Sequence, residues 1–330
     1  MKAIKVILGI LILLVVVYFL GPKPAAPELA IGGTWTDMPD SAKYVEAYIQ
    51  KMESSDEKLK EGSQARVIWA DSTKKEKTPY VFLYVHGYSA SPMEGDPVHR
   101  EIAKAFGANL LLERTYDHGH RSDTEVFLDA TADKFWESAE NYFQLAKRLG
   151  DTVVVMGTSF GGAMTLELAA RHPEIKAIAL FSPCVAINNP ASSLLDDPWG
   201  LQIGRMVSGG DYNNIPPKNE EHDKYWNLRY RLEGVVALQN FLTHTMLPET
   251  FEKIKCPVYL GYYYKDEENQ DKVVSVPAML SMFEDLGTEN KEKVAFPDAA
   301  NHVITSPILG ENVELVSEST IEFLNKFLIH

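Results

Sequence analysis

The stretch Thr152-Val153-Val154-Val155-Met156-Gly157-Thr158-Ser159-Phe160-Gly161-Gly162-Ala163-Met164 decides how this chain is read. A β-branched run leads into Gly-x-Ser-x-Gly and then into an apolar-periodic segment at 163–170, so the order is strand, sharp turn, helix. In such a turn the serine is strained, and the positions two before and two after it must be small for the helix to pack under the strand. Gly157, Gly161 and Gly162 meet that demand. Ser159 then lifts its hydroxyl above the carboxyl end of the strand, and the Phe160 N–H at the helix start faces any oxyanion formed there. A bare Gly-x-Ser-x-Gly recurs by chance; the Val run before it and the helix after it make this one a nucleophile elbow.

A nucleophilic serine needs an imidazole base, and the imidazole needs a carboxylate to fix its tautomer. Downstream of the elbow helix, 176–181 and 257–263 read as buried strands, and the second runs into Lys265-Asp266-Glu267-Glu268-Asn269-Gln270-Asp271-Lys272-Val273-Val274-Ser275. Behind an elbow of this kind the acid precedes the histidine in the chain. Asp271 is the favoured acid, because Asp-x-Val-Val leads at once into a helix at 276–286 and sets the carboxylate on the tight part of the loop. Asp266 remains the alternative. The last strand, 292–296, opens into Pro297-Asp298-Ala299-Ala300-Asn301-His302-Val303, and apart from the terminal His330 there is no other histidine beyond the acid. His302 is therefore the base.

Upstream, 80–85 is a buried strand that ends in His86-Gly87-Tyr88-Ser89. The loop after such a strand supplies a second oxyanion N–H, here that of Tyr88, and His86 serves by holding the loop with hydrogen bonds. In Tyr116-Asp117-His118-Gly119-His120 the two histidines invite a metal, but His-x-His-x-Asp would need an aspartate where Ser122 stands, so no metal is expected and the loop should shape the pocket rim. Helical spacing at 41–60, 97–106, 132–149 and 313–327, with a short strand at 65–70, completes a strand-and-helix alternation that implies a mostly parallel, doubly covered sheet. Between about 185 and 255 the rhythm breaks into Pro, Gly and aromatic residues around one good helix at 229–244. This reads as a cap over the carboxyl edge of the sheet, enclosing a dry, aromatic-lined site for an acyl chain.

At 330 residues and 45% hydrophobic, the chain has length for one α/β catalytic domain, 41–330, with the cap inside it. A formal charge of −14 argues against nucleic acid and anionic lipid surfaces as ligands and favours neutral or cationic small molecules. Cys184 and Cys256 are too few and too far apart for a zinc module or a disulfide framework and read as free thiols. Residues 1–21 carry Lys2 and Lys5 ahead of an apolar run at 6–20, which is a targeting element, read as an uncleaved signal anchor in preference to a cleaved signal peptide. The basic start stays in the cytoplasm by the positive-inside rule. The catalytic domain is then expected outside it, periplasmic or extracellular, or secreted if the segment is cleaved. Residues 22–40 read as an extended, mobile linker.

Tyr84-Val85-His86-Gly87-Tyr88-Ser89-Ala90-Ser91-Pro92, the Asp117-His118-Gly119 loop, Gly157-Thr158-Ser159-Phe160-Gly161-Gly162, Asp271-Lys272-Val273-Val274 and Asn301-His302-Val303 together resemble the α/β-hydrolase superfamily. The nearest likeness is to its carboxylesterase and monoacylglycerol-lipase-like branch, over about residues 80–327. The resemblance implies an α/β-hydrolase fold with a helical cap between the sixth and seventh strands, a nucleophilic Ser159, backbone donors at Tyr88 and Phe160, and no cofactor. The activity implied is hydrolysis of a small-molecule ester through a serine acyl-enzyme. The same parts could serve an amidase, a peptidase or an acyltransferase, or persist in a non-catalytic, membrane-tethered binding protein. Thr158 stands where many relatives carry a bulkier residue, and the acid loop is longer than usual. Oligomeric state is not legible.

Overall fold

The computed structural model describes residues 2–328. Its strands are β1 (Arg66–Ile68), β2 (Thr78–Val85), β3 (Asn109–Leu112), β4 (Gly150–Thr158), β5 (Ala177–Phe181), β6 (Tyr212–Asn214), β7 (Arg229–Arg231), β8 (Val258–Tyr262) and β9 (Lys291–Ala295). Seven of them make one sheet in the order β1-β3-β2-β4-β5-β8-β9, while β6 and β7 pair separately. The β1–β3 pair is antiparallel, and the other neighbours in the large sheet run parallel.

Continuous apolar runs such as 81–85 and 153–156 suit this sheet because both of its faces are covered. Side chains alternate along each strand, so Val81, Leu83, Val153 and Val155 enter one core layer and Phe82, Tyr84, Val154 and Met156 the other. Of the helices α1 (Lys2–Phe19), α2 (Ala42–Ser54), α3 (Val98–Ala105), α4 (Ala132–Leu149) and α5 (Phe160–Arg171), the second, fourth and fifth close the first layer. The second layer is closed by α3 with the last helix of the chain. Burying each large apolar side chain contributes about 1.5–3 kcal/mol, so rows such as Phe135, Tyr142 and Phe143 on α4 fix that helix against the sheet. The Thr131 side chain caps α4 by accepting from the Lys134 N–H at 3.3 Å.

Between β5 and β8 lie a 3₁₀ turn (Pro190–Asp196), α6 (Gly200–Ser208), β6, α7 (Glu220–Tyr225), β7, α8 (Leu232–Thr245) and α9 (Pro248–Phe251). Five strands of the large sheet precede this insertion in the chain, so it falls one strand earlier than the resemblance implies. The expected helix at 229–244 starts at Leu232, because Arg229 to Arg231 are drawn into the β6–β7 pair, where Arg229 stacks 3.5 Å above the Tyr212 ring. Beyond it, α10 (Val276–Asp285) and α11 (Val313–Leu324) complete the helices.

Residues 22–40 are extended, but they are strapped down rather than mobile. The Glu28 N–H donates to Asp133 Oδ1 at 2.7 Å, Gly32 N–H to Glu140 Oε1 at 2.9 Å and Thr34 N–H to Asn141 Oδ1 at 2.8 Å. Trp136 Nε1 returns a bond to the Ala30 carbonyl at 2.6 Å, and Leu29 is buried. The polar face of α4 thus satisfies a strap that composition alone leaves free. Before the strap, α1 exposes its apolar side chains from Ile4 to Phe19. Among the described residues no helix is long and apolar enough to cross a membrane. The end of α1 touches the insertion, where Trp199 donates from Nε1 to the Val17 carbonyl at 3.0 Å and from its backbone to the Pro22 carbonyl at 2.8 Å.

Candidate active site

Ser159 sits between β4 and α5 with φ 53° and ψ −118°, a backbone conformation L-residues avoid. It is held there from both sides: its N–H donates to the Phe181 carbonyl at 3.0 Å, and its carbonyl accepts from the Cys184 N–H at 2.8 Å. Below it α5 passes so close to the end of β2 that a Cβ built on Gly161 would lie 2.0 Å from the Val85 carbonyl oxygen. The strained serine is thus the cost of turning at once from a central strand into a helix that crosses under it.

His302, in the loop after β9, points Nδ1 at Asp271 Oδ2 at 2.5 Å. The other carboxylate oxygen of Asp271 accepts from the Val273 and Val274 N–H groups at 2.8 and 3.1 Å. Burial raises the Asp271 pKa, but the imidazole and these two amides outweigh it, and the net shift is below the usual carboxylate value. Burial lowers the His302 pKa, and the Asp271 charge and hydrogen bond overcome that and raise it above 6.5. His302 Nε2 is buried without a hydrogen-bond partner among the described residues, and Ser159 and His302 line one cavity. The structure joins His302 to Asp271 directly but shows no Ser159–His302 hydrogen bond; such contacts often tighten only when substrate is bound.

Asp266 does not reach this group. It is exposed and closes its own turn, accepting from the Glu268 and Asn269 N–H groups at 3.0 and 2.8 Å. The loop is longer than the chemistry needs because residues 264–270 fold back on themselves through a Tyr264–Gln270 bridge. The Asp271 N–H then donates to the Tyr263 carbonyl at 3.2 Å, which returns Asp271 to the end of β8 as a short loop would. His330 lies outside the described residues.

The loop after β2 is built around one peptide plane. Thr115 N–H donates to His86 Nε2 at 3.2 Å, which makes His86 Nδ1 the protonated nitrogen, and that nitrogen donates to the Gly87 carbonyl at 2.8 Å. Burial pushes the His86 pKa down to about 4, so the ring stays neutral. The Gly87 carbonyl and the Tyr88 N–H belong to the same trans peptide and point in opposite directions, so His86 aims that N–H by holding the carbonyl. The N–H groups of Tyr88 and Phe160 find no acceptor among the described residues.

Ser159, Phe160, Tyr88 and His302 border a cavity of about 570 Å³ beneath the insertion. Leu194, Leu195, Ile203, Val207, Val235 and Leu238 wall one side of it. The wall is aliphatic more than aromatic: of the insertion's aromatics Trp226 and Tyr230 reach it, whereas Trp199 holds the strap and Tyr212 carries Arg229. The 116–120 loop also differs from expectation. It lies behind the Tyr88 ring instead of at the rim, with the His118 and Tyr88 ring centroids 5.8 Å apart and His120 between Asp56 and Asp117, 2.7 Å from each. Among the described residues no group of three His, Cys, Asp or Glu side chains could hold a metal. Cys184 is a buried free thiol at the cavity, and Cys256 is free as well. The sequence reading missed Glu94, a buried carboxylate on the cavity wall. It sits in an irregular turn, where no periodicity marks it.

Comparison with known proteins gives the same family. The chain is 28% identical over 256 residues, 76% of its length and 92% of the relative's, to a thermostable monoacylglycerol lipase of Bacillus sp. (strain H-257). A structure reported for LipS and LipT, two metagenome-derived lipolytic enzymes, superposes with a TM-score of 0.64 at 18% identity, over 81% of this chain and 99% of that one. A soluble variant of monoglyceride lipase from Saccharomyces cerevisiae gives 0.61 at 12% identity, over 81% and 92%. At such identities the structural matches speak for the fold, which is that of the α/β hydrolases. Residues 131–321 match the model of the family described as BAAT / Acyl-CoA thioester hydrolase C terminal, and the chain belongs to that family of α/β hydrolases.

Proposed function

We propose that this hydrolase cleaves carboxylic esters of a single acyl chain, short or monoacylglycerol-like, through an acyl-enzyme on Ser159. The observation that carries the reading is a histidine fixed at Nδ1 by a buried carboxylate, with its unpartnered Nε2 in the cavity that Ser159 borders. The Ser159 hydroxyl attacks the ester carbonyl and its proton passes to His302 Nε2. The oxyanion is held by the Tyr88 and Phe160 N–H groups. The alcohol leaves with the proton from His302, and water repeats the sequence on the acyl-enzyme to release the acid. The aliphatic wall takes the acyl chain, which fits the relatives' monoacylglycerol substrates, and the family description favours acyl thioesters as a second substrate class for the same steps.

Intact mass with peptide mapping after fluorophosphonate treatment tests this. One adduct on Ser159, absent from Ser159→Ala, is expected, and an ester and thioester series then ranks the acyl lengths. A folded wild-type protein that takes no label would sink the mechanism and favour the binding-protein alternative.

The N-terminal segment attaches the enzyme to a membrane, with the catalytic domain outside the cytoplasm. In support, α1 exposes apolar side chains from Ile4 to Phe19, which water disfavours; its 18 residues span about 27 Å, short of the roughly 30 Å of a bilayer core, so a crossing would also draw on Leu20 and Gly21 beyond its end. The full chain is expected in the membrane fraction after alkaline carbonate washing, with its catalytic domain open to protease added outside intact cells. Recovery in the soluble cytosol would overturn the attachment.

A further inference from the structure

We propose that Glu94 is a positioning residue of this site: its buried carboxylate and His86 together fix the peptide that carries the Tyr88 donor, and its charge supports the imidazolium of His302. The proposal rests on the esterase reading above.

Glu94 lies in the 3₁₀ turn Pro92–Gly95 and is 2% exposed. Its Oε2 accepts from the Gly87 N–H at 2.5 Å. With the Gly87 carbonyl held by His86, both amides flanking the Gly87 Cα are pinned, leaving the Tyr88 N–H one direction. The carboxylate is also next to the nucleophile: a Cβ built on Gly87 would lie 2.7 Å from one Glu94 oxygen and 3.0 Å from the Ser159 Cβ. The Glu94 carbonyl accepts from Thr305 Oγ1 at 2.8 Å, which ties the turn to the loop that carries His302.

A carboxylate in such a place costs stability unless something compensates, yet among the described residues no lysine, arginine or histidine lies within ion-pair distance of it. The groups that face this pair are Tyr84 from β2, Asp271 behind His302, and Lys218 from the insertion. Burial pushes Glu94 up to about 7, opposed by the Gly87 amide and the His302 charge, while Glu94 in turn raises His302. Each charge therefore favours the charged form of the other.

The test is the pH dependence of kcat and kcat/KM for full-length wild type, Glu94→Gln and Glu94→Asp. The Glu94→Gln amide oxygen can still accept from Gly87, so this variant removes mainly the charge. Expected are a kcat about 10- to 100-fold lower, KM within about twofold, and an acid limb displaced to lower pH. Glu94→Asp keeps the charge but falls short of Gly87, so kcat should drop with the limb at its wild-type position. A folded Glu94→Gln with unchanged kcat, or with reduced kcat and an unmoved limb, overturns the proposal. If Glu94→Gln does not fold, an unchanged kcat in Glu94→Asp does so. Wild-type protein that neither turns over nor labels removes the esterase reading itself, and the proposal with it.

Discussion

Replacing Asp271 by asparagine should lower kcat by about four orders of magnitude, the size found for the equivalent change in a serine protease, while the fold stays intact. The amide oxygen can still accept from the Val273 and Val274 N–H groups, so the turn has no reason to open. The amide nitrogen then faces His302 Nδ1, where the carboxylate stood at 2.5 Å. Two N–H groups cannot share that contact, so the ring is driven to the tautomer with its hydrogen on Nε2 and can no longer take the Ser159 proton.

The pH profile separates this cause from a disturbed fold. As the proposed base, His302 must be neutral to act, and its pKa is raised above the ordinary value, so wild-type activity should fall as pH drops through a point above 6.5. Removing the Asp271 charge takes away the chief support of the imidazolium, and the acid limb of the residual activity should move to lower pH. Asp266→Asn is the control: its side chain is exposed and spent on the Asn269 turn, so kcat should stay within about twofold. An Asp271→Asn variant that keeps a tenth of the activity would place the acid elsewhere.

How far the sequence carried this site depends on what each residue needs from the chain. The elbow was legible because its demands are local: a β-branched strand, small residues around Ser159 and a helix start all fall inside one short stretch. His302 was reached by elimination. Asp271 and Asp266 stayed in competition because loop length is visible in a sequence but its folding back is not; the Tyr264–Gln270 bridge shortens the effective loop and brings Asp271, not Asp266, against His302. Glu94 was invisible for a related reason. Its partners, Gly87 and Thr305, are long-range or irregular, and nothing in its own neighbourhood tells a buried carboxylate from a solvated one. The insertion was legible as a break in rhythm but not in detail, since three-residue strands and a helix with glycines at 200 and 204 give little period to read. The strap was misread as mobile because its partners, on α4 above all and also on α5 and in the insertion, lie a hundred or more residues away.

Gly161→Ala should cost about 3–5 kcal/mol, toward the upper end for a single added methyl. The new Cβ would meet the Val85 carbonyl oxygen at 2.0 Å and its carbon at 2.5 Å, and these are backbone atoms of a central strand that cannot swing aside as a side chain can. Relief requires α5 to move away from β2 by an ångström or more. That lowers Tm by about 5–10 °C for a chain of this size. It also carries Phe160, the first residue of α5, away from the Tyr88 N–H, and misplacing one oxyanion donor by 1 Å costs about 100-fold in kcat. Stability and activity should therefore fall together, because one packing contact sets both the helix position and the width of the proposed oxyanion site. Gly210→Ala is the matched control: nothing lies within 4 Å of its added carbon and its φ is ordinary, so both readouts should stay within error of wild type. A Gly161→Ala protein with wild-type Tm and kcat would show that α5 does not approach β2 this closely, and the elbow geometry argued for Ser159 would fall with it.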